Sequence, residues 1–179
     1  GELLQLEKAR NLDITEEIYF DIIRQKTASL IASCCAVGAS SAGAQATDIE
    51  RMRKFGELVG MAFQIKDDLF DFGPEGVIGK PTGIDIKESK MTLPLIYALS
   101  NAEYYDKRRI IHISKSRTAS REKIEEVIEF VKSSGGLDYA KKMMISFRDK
   151  ACQLLHEFPE SQFRTSLEKL IYFTTDRNK

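Results

Sequence analysis

"QIKDDLFD", residues 64–71, sets Asp67, Asp68 and Asp71 within five positions of an otherwise apolar stretch. A helix advances about 100° per residue, so with Asp67 at zero, Asp71 falls near about 40°, Gln64 near about 60° and Asp68 near about 100°. These four polar groups share one face. On the same wheel Leu58, Met61, Ala62, Ile65, Leu69 and Phe72 occupy roughly 120° to 220°, and Val59, Phe63 and Phe70 roughly 280° to 320°. Apolar residues therefore flank the acids on both sides, whereas a surface helix carries one apolar stripe and a wide wet face. The pattern predicts a helix buried in a bundle, with its acids turned into an interior cleft.

Two carboxylates about 6 Å apart repel by about 3 kcal/mol at an effective dielectric of about 20. Protonation, a basic partner or a bound cation relieves such crowding. Lys66, roughly 260° around the wheel, is off the acidic face. All-oxygen donors with no His or Cys nearby suit a hard ion, and Mg²⁺ typically joins one or two carboxylates to substrate phosphates while keeping several waters. The reading is therefore Mg²⁺ with a phosphorylated ligand. Its plain alternative is a solvated acidic turn at a helix end.

The chain has 179 residues, with Lys plus Arg and Asp plus Glu balanced at 27 each. That balance gives no global field toward nucleic acid or an anionic membrane, so any basic site is local. No apolar run reaches the length of a membrane span and no signal-peptide pattern is present, which points to the cytoplasm without stable membrane insertion. Cys34, Cys35 and Cys152 lack metal or redox spacing and read as core packing in a reducing compartment. The sequence opens on "GELLQLEKAR", already helical in pattern and without an initiator Met, so upstream helices are expected to be missing.

Helical signals run through the whole chain and predict an all-α bundle, a single partial domain over residues 1–179. After a helix to about Arg10, Asp13 and Thr15 offer caps, with Glu16 and Glu17 in the first turn of a helix reaching about Val37. Its second half, "ASLIASCCAVGASSAGA", is rich in small residues that let helices approach closely. Thr47 and Glu50 form a capping-box pattern for the acidic helix, extended to about Phe72. Gly56 and Gly60 on that helix mark a groove or a tight helix contact. Residues 73–90, "GPEGVIGKPTGIDIKESK", form a long loop with four glycines and two prolines, a length usually functional. Helices follow near 92–99, 102–114, 121–132, 137–157 and 161–174. His112 and His156 read as surface or packing residues, and the basic tail with Arg177 and Lys179 as a frayed end.

Lys80, Lys87 and Lys90 in that loop can fold back over whatever the acids bind. Lys26, beside Thr27 in "IIRQKTASLIA", lies among residues expected to be buried, so its ammonium either snorkels outward or meets an anion inside. A diphosphate held by Mg²⁺ on one side and lysines on the other accounts for all of these charges together.

The combination of KT at 26–27, FQIKDDLFD at 63–71, GK at 79–80, GID at 83–85 and K-x-T-L-P-L at 90–95 resembles the trans-isoprenyl diphosphate synthases, or polyprenyl synthetases. The opening GELLQLE further resembles medium- and long-chain members, such as octaprenyl diphosphate synthases, more than farnesyl diphosphate synthases. The resemblance implies the isoprenoid-synthase type of helical bundle. The implied reaction is a Mg²⁺-dependent condensation of an allylic diphosphate with isopentenyl diphosphate, in a homodimer. It also implies roles. Asp67, Asp68 and Asp71 match the second aspartate-rich motif, with Asp67 the most direct metal ligand. Lys26, Lys80 and Lys90 match lysines that grip the allylic diphosphate. Thr27 and Gln64 match polar residues beside the reacting carbon, and Asp85 a loop acid acting through water or Lys90.

The first aspartate-rich motif of that family and its upstream basic residues are absent from this sequence. A noncatalytic synthase-like subunit, a terpene-cyclising or head-to-head-coupling enzyme and a plain helical scaffold are the competing readings. The scaffold predicts that Asp67→Ala and Asp71→Ala leave diphosphate binding unchanged. The enzyme reading predicts that residues 1–179 alone do not turn over, and normal turnover of this polypeptide in a prenyl-transfer assay contradicts it.

Overall fold

The computed structural model describes residues 1–11, 14–73, 82–116 and 118–177. The protein is all-α, with no strand among the described residues. In chain order the helices are α1 (Glu2–Asn11), α2 (Glu16–Ile23), a π-helical segment (Arg24–Ala28), α3 (Ser29–Ser41) and α4 (Ala46–Phe70). Next come α5 (Ile84–Lys87), α6 (Leu93–Ser100), α7 (Tyr104–Lys115), α8 (Arg121–Ser133), α9 (Gly136–His156) and α10 (Gln162–Asp176).

Local chemistry accounts for several boundaries. Thr15 caps α2, its hydroxyl accepting from the Ile18 amide at 3.3 Å, while Asp13 lies outside the described residues. Thr92 precedes α6 in an extended conformation without a side-chain cap bond, and Pro94 sits in the first turn, where its missing N–H is harmless. Ser161 caps α10 by accepting from Arg164 N. The expected Thr47 cap is displaced: the Gln45 carbonyl accepts the first amides of α4, so Thr47 lies inside the helix. The long loop ends in the ordered turn α5.

The described chain divides into two compact units, one holding Ile23–Lys66 and Lys142–Asn178, the other Glu2–Ile22 and Asp67–Lys141. In the first, Phe55 and Leu58 of α4 pack with Ala151, Cys152 and Leu155 of α9 and Ile171 of α10. In the second, Leu93 and Leu95 of α6, Ile110 of α7, and Val127 and Val131 of α8 are fully buried. There the Tyr139 ring stacks on Tyr97 with centroids 4.2 Å apart, and its hydroxyl donates to Glu16 at 2.7 Å.

From Phe55 to Gly73 no residue of α4 or its C-terminal turn is exposed. Buried and half-buried residues alternate through this stretch, so no side of it is open to solvent, as the wheel predicts. The small-residue stretch of α3 behaves differently on its two sides. Ala32 is buried, but Leu30 and Val37 are 68% and 63% exposed. Cys34 shares that outer face and is exposed, so it is not core packing; Cys35 is half-buried and Cys152 buried.

Gly56 and Gly60 resolve into a tight helix contact. A Cβ on Gly60 would stand 2.5 Å from Ala28 Cα, and one on Gly56 2.9 Å from Ala32 Cα. Gly60→Ala is expected to destabilise the protein by about 1–3 kcal/mol through overpacking. Nothing lies within 4 Å of the corresponding atom on Gly38 in α3, where alanine should gain about 0.5–1 kcal/mol from helix propensity. Urea unfolding midpoints check both, and a Gly60→Ala protein as stable as the parent contradicts the close approach.

Candidate functional site

In the first unit the KT pair falls within the π-helical segment Arg24–Ala28, flanked by helical Ile23 and Ser29. A π turn inserts one extra residue into a helix and commonly marks functional positions. Thr27 Oγ1 donates to Gln64 Oε1 at 2.7 Å, joining that segment to α4. Lys26 is exposed, so of its two alternatives the structure takes the outward one. Arg177 stacks over the Phe63 ring, 4.7 Å from its centroid, so this part of the basic tail is anchored on α4 rather than frayed. Lys179 lies outside the described residues.

In the second unit the acids meet built-in donors. Asp68, 7% exposed, accepts from the buried Tyr19 hydroxyl at 2.7 Å. Burial, and then the Asp68 charge and hydrogen bond, push the Tyr19 phenol well above its ordinary range, so it stays a donor. Asp71 lies in the turn after α4 and accepts from the first amides of α5: Ile84 N to Oδ1 at 2.8 Å and Asp85 N to Oδ2 at 3.2 Å. Gly83 N donates to the Asp71 carbonyl at 2.9 Å. Burial first, then the Asp85 charge, raise the Asp71 carboxyl to about 6, against the pull of these amides. Asp67 is half-buried. None of the three acids is splayed into solvent.

Asp85 carries the arrangement onward to Lys90. The Lys90 ammonium donates to Asp85 Oδ1 at 3.0 Å and pairs with Glu88 Oε2 at 2.7 Å. Burial pulls the Lys90 pKa down, but Glu88 and Asp85 outweigh it and the net shift is upward, so this lysine is firmly cationic. Lys87 is exposed. Lys80 lies outside the described residues.

Among the described residues no group of three His, Cys, Asp or Glu side chains is arranged to hold a metal ion. The carboxylates do not form a cage. They do fit an ion that takes one or two carboxylate oxygens and completes its shell with phosphate and water, which is the habit of Mg²⁺. Of the three acids, Asp68 accepts from Tyr19 and both oxygens of Asp71 accept from the α5 amides.

Sequence reasoning missed Tyr19, Glu88 and Ser89 as parts of this arrangement. Tyr19 is 49 positions from its partner, beyond any periodic signal. Ser89 adopts φ +57, a left-handed conformation usually reserved for glycine, and nothing in its neighbours announces it. Arg177 was legible as a charge but not as a ring partner. His112 is exposed, and His156 faces Glu168 at 3.1 Å.

Known proteins share this chain's pattern. The Polyprenyl synthetase family model matches residues 1–131. An all-trans-nonaprenyl-diphosphate synthase (geranyl-diphosphate specific) of Rhodobacter capsulatus is 37% identical over 99% of this chain and 54% of its own length. A short chain isoprenyl diphosphate synthase of Methanothermobacter thermautotrophicus is 35% identical over the same shares, 99% and 54%. A polyprenyl synthase crystal structure from Caulobacter crescentus, complexed with calcium and isoprenyl diphosphate, superposes with a TM-score of 0.92. Its identity is 33%, over 100% of this chain and 55% of that one. The chain spans about half the length of the curated relatives it matches. Relatives named for short and for nonaprenyl products stand almost level in identity, so likeness favours neither length.

The turn that follows Asp71 yields a paired prediction. Gly83 has φ +76, and a Cβ there would meet Ile124 Cγ2 at 2.3 Å. Gly83→Ala should therefore cost about 2 kcal/mol or more from left-handed strain plus the clash. Ser89→Gly should be neutral or stabilising by up to about 1 kcal/mol. Denaturant unfolding of the two variants checks the pair, and equal destabilisation by both contradicts the backbone assigned to this turn.

Proposed function

The chain belongs to the polyprenyl synthetase family and has its all-α isoprenoid-synthase fold, and from that premise we propose that it supplies the allylic-diphosphate site of a Mg²⁺-dependent trans-prenyltransferase. The reaction in this reading joins an allylic diphosphate to isopentenyl diphosphate. One observation carries the reading: four polar residues, Gln64, Asp67, Asp68 and Asp71, sit in a segment from 55 to 73 without an exposed residue. The diphosphate and divalent ion named for the Caulobacter crescentus structure support the ligand class.

In this reading Asp67 is the leading Mg²⁺ ligand of the motif it shares with Asp68 and Asp71, and Lys26, Lys80 and Lys90 correspond to the family's diphosphate-gripping lysines. A bound Mg²⁺ supplies stabilisation for the charge gathering on the departing diphosphate. Lys90 adds a fixed cation to the same end. Thr27, whose proton is committed to Gln64, turns oxygen lone pairs toward the carbon that becomes electron-poor. Asp85 orients Lys90. Apolar residues around the acids, among them Met61, Phe63 and Phe70, keep water from the reactive allylic group.

Octaprenyl-like product length rests on the GELLQLE opening. Self-association as a homodimer is supported by Phe163, Leu170 and Phe173, exposed along one side of α10. A cytoplasmic location is supported by three cysteines that form no disulfide.

Titration calorimetry with pyrophosphate, with and without Mg²⁺, tests the core of the proposal. Binding should require Mg²⁺, and Asp67→Asn should weaken it by at least about tenfold. Binding that is independent of Mg²⁺ and indifferent to Asp67→Asn contradicts it.

A further inference from the structure

We infer that Asp71 is a positioning residue, a latch that fixes α5 and, through Asp85, the Lys90 ammonium, rather than a direct metal ligand. This deepens the proposed diphosphate site and rests on it for the purpose of Lys90.

The connections are continuous. Asp71 accepts Gly83 N on its carbonyl, Ile84 N on Oδ1 and Asp85 N on Oδ2. It thus receives successive amides at the start of α5, which spans only Ile84–Lys87. A single helical turn does not persist by itself, because nucleation outweighs one or two backbone bonds. Its C-terminal end is closed as firmly. Ser89 N donates to Ile86 O at 3.0 Å and Lys90 N to Asp85 O at 2.8 Å, the double bond pattern of a Schellman ending with Ser89 in the left-handed position. That reversal brings Lys90 back over α5, where its Nζ meets Asp85 Oδ1 at 3.0 Å.

Asp85 is therefore held at three points. Its amide is on Asp71, its carbonyl on the Lys90 amide and its carboxylate on the Lys90 ammonium. A strained non-glycine residue such as Ser89 persists only where its surroundings over-determine it. Removing the Asp71 acceptors frees the start of that chain of contacts. Each Asp71 oxygen already meets one α5 amide and keeps a second lone pair, so the variants below separate a latch from a ligand.

The test compares Asp71→Asn, Asp71→Ala, Lys90→Gln and Asp67→Asn in the protein. Two quantities are read: amide hydrogen exchange at Ile84 and Asp85, and pyrophosphate affinity in saturating Mg²⁺. Asparagine keeps a side-chain oxygen for the amides but loses the charge, whereas alanine loses both acceptors. Asp71→Asn should retain protection at Ile84 and lose less pyrophosphate affinity than Asp71→Ala. Asp71→Ala should speed exchange at both amides by about tenfold or more and weaken pyrophosphate as much as Lys90→Gln. The double variant Asp71→Ala/Lys90→Gln should be no weaker than either alone, as expected of groups acting through one another. Loss in Asp71→Asn equal to that in Asp67→Asn, with amide protection intact, overturns the latch. Failure of the diphosphate reading looks different, because the parent then shows no Mg²⁺-dependent binding. The exchange data alone then decide: faster exchange in Asp71→Ala supports the latch, and unchanged exchange overturns it.

Discussion

A carboxylate removed from water must be met by donors, and the described residues between Asp67 and Lys90 are organised around that requirement. Leaving a buried charge unmatched costs several kcal/mol, of the order of ~3–5 when one partner of a buried pair is deleted. Asp68 is answered by the Tyr19 hydroxyl, Asp71 by the amides of Ile84 and Asp85, and Asp85 by the Lys90 ammonium. The acids are thus settled by three different kinds of donor. The crowding that looked prohibitive in the sequence becomes a division of labour.

The other unit contributes a different kind of order. Gly60 lets α4 approach the backbone at Ala28, and one residue before Ala28 the Thr27 hydroxyl reaches Gln64, one turn further along α4. Close packing and the polar contact therefore reinforce one another. The π-helical register at Arg24–Ala28 aims Lys26 outward and Thr27 inward, so two adjacent residues acquire distinct tasks. Arg177 over Phe63 secures the end of α10 to the same helix.

Much of this was legible beforehand, for physical reasons. The lack of any exposed residue from Phe55 to the end of α4 follows from apolar residues on both sides of the acids. The α2 start follows from Thr15, and the family from motifs in fixed order. Other features were not legible. "RQKTA" contains ordinary helix formers, and nothing in their propensities distinguishes a π turn from an α turn. The burial of Asp68 against Tyr19 is a tertiary event between distant positions. Gln45 and not Thr47 precedes α4, its carbonyl accepting the Asp48 and Ile49 amides, an outcome the Thr47–Glu50 spacing does not reveal. Cys34 resembles a core residue by composition, but Leu30 and Val37 on its face of α3 are exposed, and composition alone does not say which side of a helix is covered. Lys80, a prominent residue in the sequence reading, lies outside the described residues.

The central claim is that Asp67 receives the divalent ion while Asp68 and Asp71 remain occupied by protein donors. Anomalous diffraction from crystals of the protein grown with Mn²⁺ and pyrophosphate tests it directly. The account predicts an ion peak within bonding distance of Asp67, with the amides of Ile84 and Asp85 still on Asp71. An ion bridging Asp68 and Asp71, with α5 released and the Tyr19 bond broken, contradicts it.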